Sequence, residues 1–260
     1  MIAIPFRDDT PLRREPVTTW GLIGLCAAVF LWQAGLSPRD GELVAHLYGM
    51  VPGRLFGTAH LPARLHPIDP GWTLVTSMFL HGGWLHLIGN MLYLWLFGRG
   101  VESALGPVRF LALYLASGVA AALAQAMTDP ASLVPMVGAS GAIAGVLGAY
   151  LLLYPRATVD VFLWIIIFVR VIRMPAPIML GLWFLLQLVS GLAAHDEPGV
   201  AFWAHVGGFL AGMALVTMLR PAGAQLFQTR RASPFGIRRM APHRGASVPR
   251  SGPWRRGPWG

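Results

Sequence analysis

Recurring apolar stretches of about 20 residues, the length that crosses the hydrocarbon of a bilayer as a helix, constrain this chain more than any other feature. Gly, Pro and charge clusters mark off about six of them: residues 18–36, Thr73–Val101, Val108–Met127, a stretch opening at Gly138 and running to Tyr154, Pro177–Leu192, and Val200–Leu219. Hydrophobic residues make up 55% of the 260, charged residues only 12%, and mean hydropathy is +0.58, too apolar for a water-soluble domain of this length. The reading is one all-α membrane domain of six transmembrane helices over residues 18–220. It is preceded by a short segment at 1–17 and followed by a basic, Pro- and Gly-rich tail at 221–260 that reads as disordered.

The formal charge of +9 would suggest nucleic acid for a soluble protein, but the basic residues lie in short loops and in the tail, so no nucleic-acid partner is implied. Every basic residue other than histidine is Arg, a bias that suggests a GC-rich bacterial genome and hence an inner-membrane location. Short loops with excess Arg face the cytoplasm. Arg7, Arg13 and Arg14 precede the first stretch, Arg99 and Arg109 flank the junction of the second and third, Arg156, Arg170 and Arg173 lie between the fourth and fifth, and Arg220 opens the tail. The intervening loops Thr128–Pro135 and His195–Pro198 carry acid and no Arg. Six spans with both termini cytoplasmic satisfy this alternation, provided that VDVFLWIIIFVRVIR (Val159–Arg173) lies on the membrane surface and does not cross. Cys26 is alone and excludes an internal disulfide. Arg13, Arg14 and Glu15 before an apolar stretch with no small-residue cleavage site indicate a retained helix and no cleaved signal.

Polar side chains inside spans are costly and are functional candidates, although a single one is more often a helix–helix hydrogen bond. The second stretch carries His81, His86 and Asn90, and the four-residue step from His86 to Asn90 puts that pair on one helical face. Ser140 opens the fourth stretch and His205 lies in the outer half of the sixth, so topology places all four at similar depth. Gly141, Gly145 and Gly148 form one small face, and Gly208 with Gly212 another; alone these are a common packing motif. Packed together, they would bring Ser140 within reach of His205, the arrangement that turns a neutral serine into a nucleophile. His86, Asn90 and the Ser140 backbone N–H are suitable donors to the resulting oxyanion. His81 reads as structural. No carboxylate lies in the interior, so a dyad is what the residues offer. A zinc protease would need a His-Glu-x-x-His pattern and an aspartyl protease two intramembrane aspartates, and neither is present. A transporter using the histidines as relays is weakened by the same lack of carboxylates and by the lack of an obvious inverted repeat.

HGGWLHLIGNM with GRGVE, GASGAIAGVLGAY and AHVGGFLAG, in this order, resemble the rhomboid family of intramembrane serine proteases, with a weaker echo in YGMVP at Tyr48–Pro52. The resemblance runs from about Trp72 to Arg220. It implies a six-helix core with a long, partly membrane-immersed first loop (Ser37–Gly71), Ser140 as nucleophile, His205 as general base, and His86 and Asn90 as the oxyanion site. It further implies transmembrane protein substrates that enter sideways and are cut near the outer membrane boundary, no cofactor, and a gate at the fifth span through Trp183 and Phe184. A binding protein of the same fold would generally lack one or both of the dyad residues. Three positions depart from or qualify the pattern. Trp72-Thr73 replaces a common Trp-Arg, Ala144 stands where an aromatic residue often supports the histidine, and Glu102 matches a structural brace. The tail arginines, Arg230 to Arg256, suit a solvated segment first and contact with anionic lipid headgroups second.

Overall fold

The computed structural model describes residues 2–58, 68–165, 168–193 and 201–228. The acidic loop at His195–Pro198 and the tail arginines from Arg230 onward lie outside the described residues. The chain runs as β1 (Ile2–Asp8), α1 (Val17–Ala34), α2 (Pro38–Tyr48), α3 (Pro52–Leu55), α4 (Thr73–Thr76), α5 (Trp84–Tyr93), α6 (Arg99–Leu105), α7 (Pro107–Ala126), α8 (Ser140–Leu153), β2 (Thr158–Ile165), β3 (Phe168–Pro175), α9 (Ala176–Ala193) and α10 (Phe202–Leu219). Four of these, α1, α7, α9 and α10, are long and apolar enough to cross a membrane. A π-helical turn at Leu94–Gly98 joins α5 to α6 without a break, so helix is continuous from Trp84 to Leu105.

Two expectations are corrected. The fold is not all-α, because β1, β2 and β3 form an antiparallel sheet in that order. Val159–Arg173 is therefore a hairpin, with Val161 opposite Ile172 and Asp160 opposite Arg173, and β1 pairs with its first strand. β-branched and aromatic residues dominate this run, and they fit a pleated surface better than a helix. The second correction concerns the helix expected from Thr73: α4 and a 3₁₀ turn at Ser77–Phe79 come first, and the helix begins only at Trp84. His81 thus precedes the helix. Its backbone N–H donates to Gln33 Oε1 at 3.0 Å, and its ring meets Phe30 edge-on.

The core is built on close backbone approach. α10 packs most extensively against α8 and α7. A Cβ at Gly212 would fall on the Gly145 carbonyl, one at Gly208 on the Gly141 carbonyl, and one at Gly148 on the Phe209 carbonyl. Glycine lets these backbones meet where lipid offers no hydrophobic drive to bring helices together. At one end of the bundle, buried Glu102 accepts from the Thr18 and Thr19 N–H groups at 2.8 and 2.7 Å and from the Thr19 hydroxyl. A carboxylate there satisfies two orphan donors at the positive end of α1. At that same end, the Tyr150 hydroxyl donates to Asp8 Oδ2 at 2.8 Å and Arg99 lies 3.6 Å from Asp8, while Asp9 accepts from the Thr158 N–H and hydroxyl.

Gly212→Val is expected to force α8 and α10 apart and cost about 3 kcal/mol or more, the upper range for overpacking. Gly89→Ala, whose added methyl meets nothing within 4 Å, should be neutral, and thermal unfolding of the detergent-solubilised protein separates the two. Burial raises the Asp8 carboxyl from 3.8 to about 6, against the pull of Tyr150 and Arg99. The folded state then binds this proton more tightly than the unfolded state between those values, so stability from this group falls as pH rises through the window. The unfolding temperature of the native protein should drop more from pH 4 to pH 6 than that of Asp8→Asn; equal slopes would refute the assignment.

Candidate active site

Three helix N-termini and one helix edge converge at the end of the bundle away from the sheet. Gly138 has φ of 129°, a left-handed conformation open to glycine, and its N–H donates to the Ser77 carbonyl at 2.8 Å. This turn delivers Ser140 as the first residue of α8. The preceding loop is itself held by the first loop, since Met50 and Met136 exchange backbone hydrogen bonds of 3.0 and 2.8 Å. α10 brings His205 in its first turn, and Gln125 at the end of α7 accepts from the Ala204 N–H at 3.3 Å. α5 brings His86 in its first turn and Asn90 one turn later.

All four expected site residues are brought together. Ser140 Oγ and His205 Nε2 are 2.9 Å apart, next to the point where Gly208 lets α10 meet the Gly141 carbonyl of α8. A Cβ added at Gly138 would be 2.7 Å from His86 Nε2 and 3.8 Å from Asn90 Nδ2, so both groups face the turn that carries the serine. The Gly82 N–H donates to His86 Nδ1 at 3.3 Å, which leaves Nε2 as the protonated, donating nitrogen. Asn90 Nδ2 is buried with no hydrogen-bond partner among the described residues, an uncommon condition for a buried donor. His86, Asn90, Ser140, Trp183, Trp203 and His205 are among the residues lining a cleft of ≈ 1520 Å³. Among the described residues no three His, Cys, Asp or Glu side chains are placed to hold a metal ion.

Sequence reasoning missed one member of the cluster. Gln187 on α9 presents Oε1 at 2.7 Å from His205 Nδ1. It is the only amide in APIMLGLWFLLQLVSGLA, and an amide in so apolar a helix was the signal available. Trp183, one turn earlier, lies beside the His205 ring with centroids 5.8 Å apart and planes at 39°. Ala144, where an aromatic support was often to be expected, is fully buried, and the ring contact comes from α9 in its place. Phe184 packs on Phe209. What the cluster can do chemically is pass a proton from a hydroxyl to an imidazole beside two N–H donors, one of which, Asn90 Nδ2, has no partner among the described residues.

The Rhomboid domain family model matches residues 69–222, more than half of the chain. RHOMBOID-like protein 5 of Arabidopsis thaliana is 36% identical over 163 residues, covering 62% of this chain and 48% of the relative. RHOMBOID-like protein 2 of the same plant is 35% identical over 224 residues, 85% of this chain and 63% of the relative. Rhomboid protease GluP of Bacillus subtilis (strain 168) is 46% identical over 80 residues, 31% of this chain and 15% of the relative. The chain spans less than two thirds of the length of each. These relatives come from plants as well as bacteria and lend no support to a bacterial source. The match across the whole site-bearing region, together with these relatives, places the chain in the rhomboid family of multi-pass membrane proteins.

Proposed function

We propose that this protein is an intramembrane serine endopeptidase that hydrolyses transmembrane protein substrates near the outer membrane boundary. The observation that carries the reading is the 2.9 Å contact between Ser140 Oγ and His205 Nε2 in a cleft that also holds His86 and Asn90 Nδ2, which has no partner among the described residues. Ser140 Oγ attacks the scissile carbonyl carbon and gives its proton to His205 Nε2, as the carbonyl π electrons move to oxygen. That oxyanion accepts from His86 Nε2–H, Asn90 Nδ2–H and the Ser140 N–H, which as the first helical residue has no intrahelical carbonyl to bond. The leaving amine takes the proton from Nε2. Water then attacks the acyl-enzyme with His205 as base, releasing a carboxylate product and restoring Ser140. No cofactor enters this scheme.

Six crossings fit the arrangement: α1, the continuous α5–α6, α7, α8, α9 and α10. α8 has 14 residues and a length of about 21 Å, short of a hydrocarbon core of about 30 Å. Its first residue, Ser140, therefore sits below the membrane surface, reached through the cleft, in which non-helical backbone is tolerated at depth. The first loop, with α2 and α3, is partly immersed on the same side. The sheet end carries Arg7, Arg99, Arg156, Arg170, Arg173 and Arg220, so the positive-inside rule makes that end and both termini cytoplasmic and opens the site outward. α9 is the access point, because only Ala176 and Leu180 along it are buried.

A fluorophosphonate probe is expected to label the native protein and to fail on Ser140→Ala and His205→Ala, with cleavage of a model transmembrane substrate in proteoliposomes lost in both. Removing one oxyanion donor, as in Asn90→Ala, should lower kcat about 100-fold. Cleavage that persists in Ser140→Ala would end this reading. Sideways access has its own test. A Cβ at Gly191 would lie 3.3 Å from Phe202 Cβ, close to disulfide range, so the pair Gly191→Cys and Phe202→Cys can tie α9 to α10. The oxidised pair is expected to keep probe labelling and lose transmembrane-substrate cleavage until reduced; unchanged cleavage would show that α9 need not move.

A further inference from the structure

The dyad reading leaves open what holds the His205 ring and fixes its proton. The base must offer a lone pair at Nε2, so the single proton of the neutral ring must be at Nδ1. Gln187 Oε1 lies 2.7 Å from Nδ1, and a carbonyl oxygen accepts only from a protonated nitrogen. The alternative tautomer would bring a lone pair at Nδ1 against that oxygen and point an N–H at Ser140 Oγ, which blocks proton transfer in the needed direction. Trp183 lies beside the same ring at 5.8 Å, on the same helix and one turn earlier. Among the described residues, no carboxylate is hydrogen-bonded to His205.

Resting on the Ser140–His205 reading, we propose that Gln187 is the positioning residue of the reaction: its side-chain carbonyl accepts from His205 Nδ1–H, fixing the productive tautomer and ring angle, and its dipole stabilises the imidazolium that forms when Nε2 takes the serine proton. The atoms balance without a further group. One proton moves from Ser140 Oγ to Nε2, the Nδ1–H stays in place, and the partial negative charge of the amide oxygen faces the new imidazolium. This is the role a carboxylate plays in a Ser-His-Asp triad, filled by a neutral amide in a setting where a buried carboxylate would be expensive.

The position of Gln187 matters as much as its chemistry. α10 and α8 are locked backbone to backbone, whereas α9 exposes Ile178, Leu182, Leu185, Leu186 and Val189 and packs chiefly on α10. The rigid pair therefore sets the Ser140–His205 distance, and the loosely held helix sets the protonation geometry of the base. A substrate that displaces α9 must return Gln187 to Nδ1 before the serine is activated, which ties turnover to reclosure around the substrate.

The test uses the full chain in proteoliposomes with a model transmembrane substrate, and the fluorophosphonate probe, whose reaction forms an Oγ–P bond, expels fluoride and passes the Oγ proton to His205. Gln187→Met keeps the shape and removes the acceptor; it should lower kcat and the labelling rate about 10- to 100-fold with KM within about twofold of native. Gln187→Asn keeps the amide but withdraws it by one methylene and should also be slowed. Gln187→Glu retains an acceptor oxygen whether or not it ionises and should recover to within about fivefold of native. A folded Gln187→Met protein as fast as native, or a Glu variant as slow as Met, overturns the assignment while leaving the dyad intact. Native protein that never labels, or labels equally in Ser140→Ala, overturns the dyad and this inference with it.

Discussion

Everything at the site depends on how closely α8 and α10 approach each other. Inside a bilayer, apolar side chains gain nothing by leaving lipid for protein, so packing contact and polar pairing must hold helices together. Gly141, Gly145, Gly148, Gly208 and Gly212 supply that contact by letting carbonyls of one helix sit against the backbone of the other. The same geometry brings Ser140 and His205, each in the first turn of its helix, to 2.9 Å. The close helix packing and the polar pairing at the site thus share one interface.

Around this rigid pair the constraints weaken by degrees. α7 is held against both, with Gln125 tied to the start of α10. α5 is fixed through its continuous passage into α6, where Glu102 anchors the start of α1. α9 is the exception, with few buried residues and two polar or aromatic contacts to His205 as its link to the site. A helix so placed has little protein packing of its own and exposes many of its apolar side chains.

The sheet at the opposite end closes the other face of the bundle. β3 passes into α9 without a linker, and β1 is stitched to α8 and the hairpin through Asp8 and Asp9. α9 is thus tethered firmly at its first residues, where Ala176 is fully buried, and more loosely toward the site. The contacts to His205 come from farther along the helix, through Trp183 and Gln187.

The apolar stretches, the positions of Ser140, His205, His86 and Asn90, and the glycine faces were legible in the chain because each rests on local period or on the expense of a polar group in lipid. Helix spacing alone put His86 and Asn90 on one face, and the same logic applied to Gln187 would have marked it too. The sheet was not legible. Its register joins Ile2–Asp8 to residues more than 150 positions away, and no local pattern announces so distant a partner. The late start of α5, which leaves His81 outside the helix, goes with the 3₁₀ turn and with the bond from the His81 N–H to Gln33, again a non-local contact. Periodicity and composition could say which side chains would be costly to leave alone in a membrane. Which of them meet, and that an amide on α9 completes the surroundings of His205, followed only from how the helices pack, because those distances are set between segments and not within them.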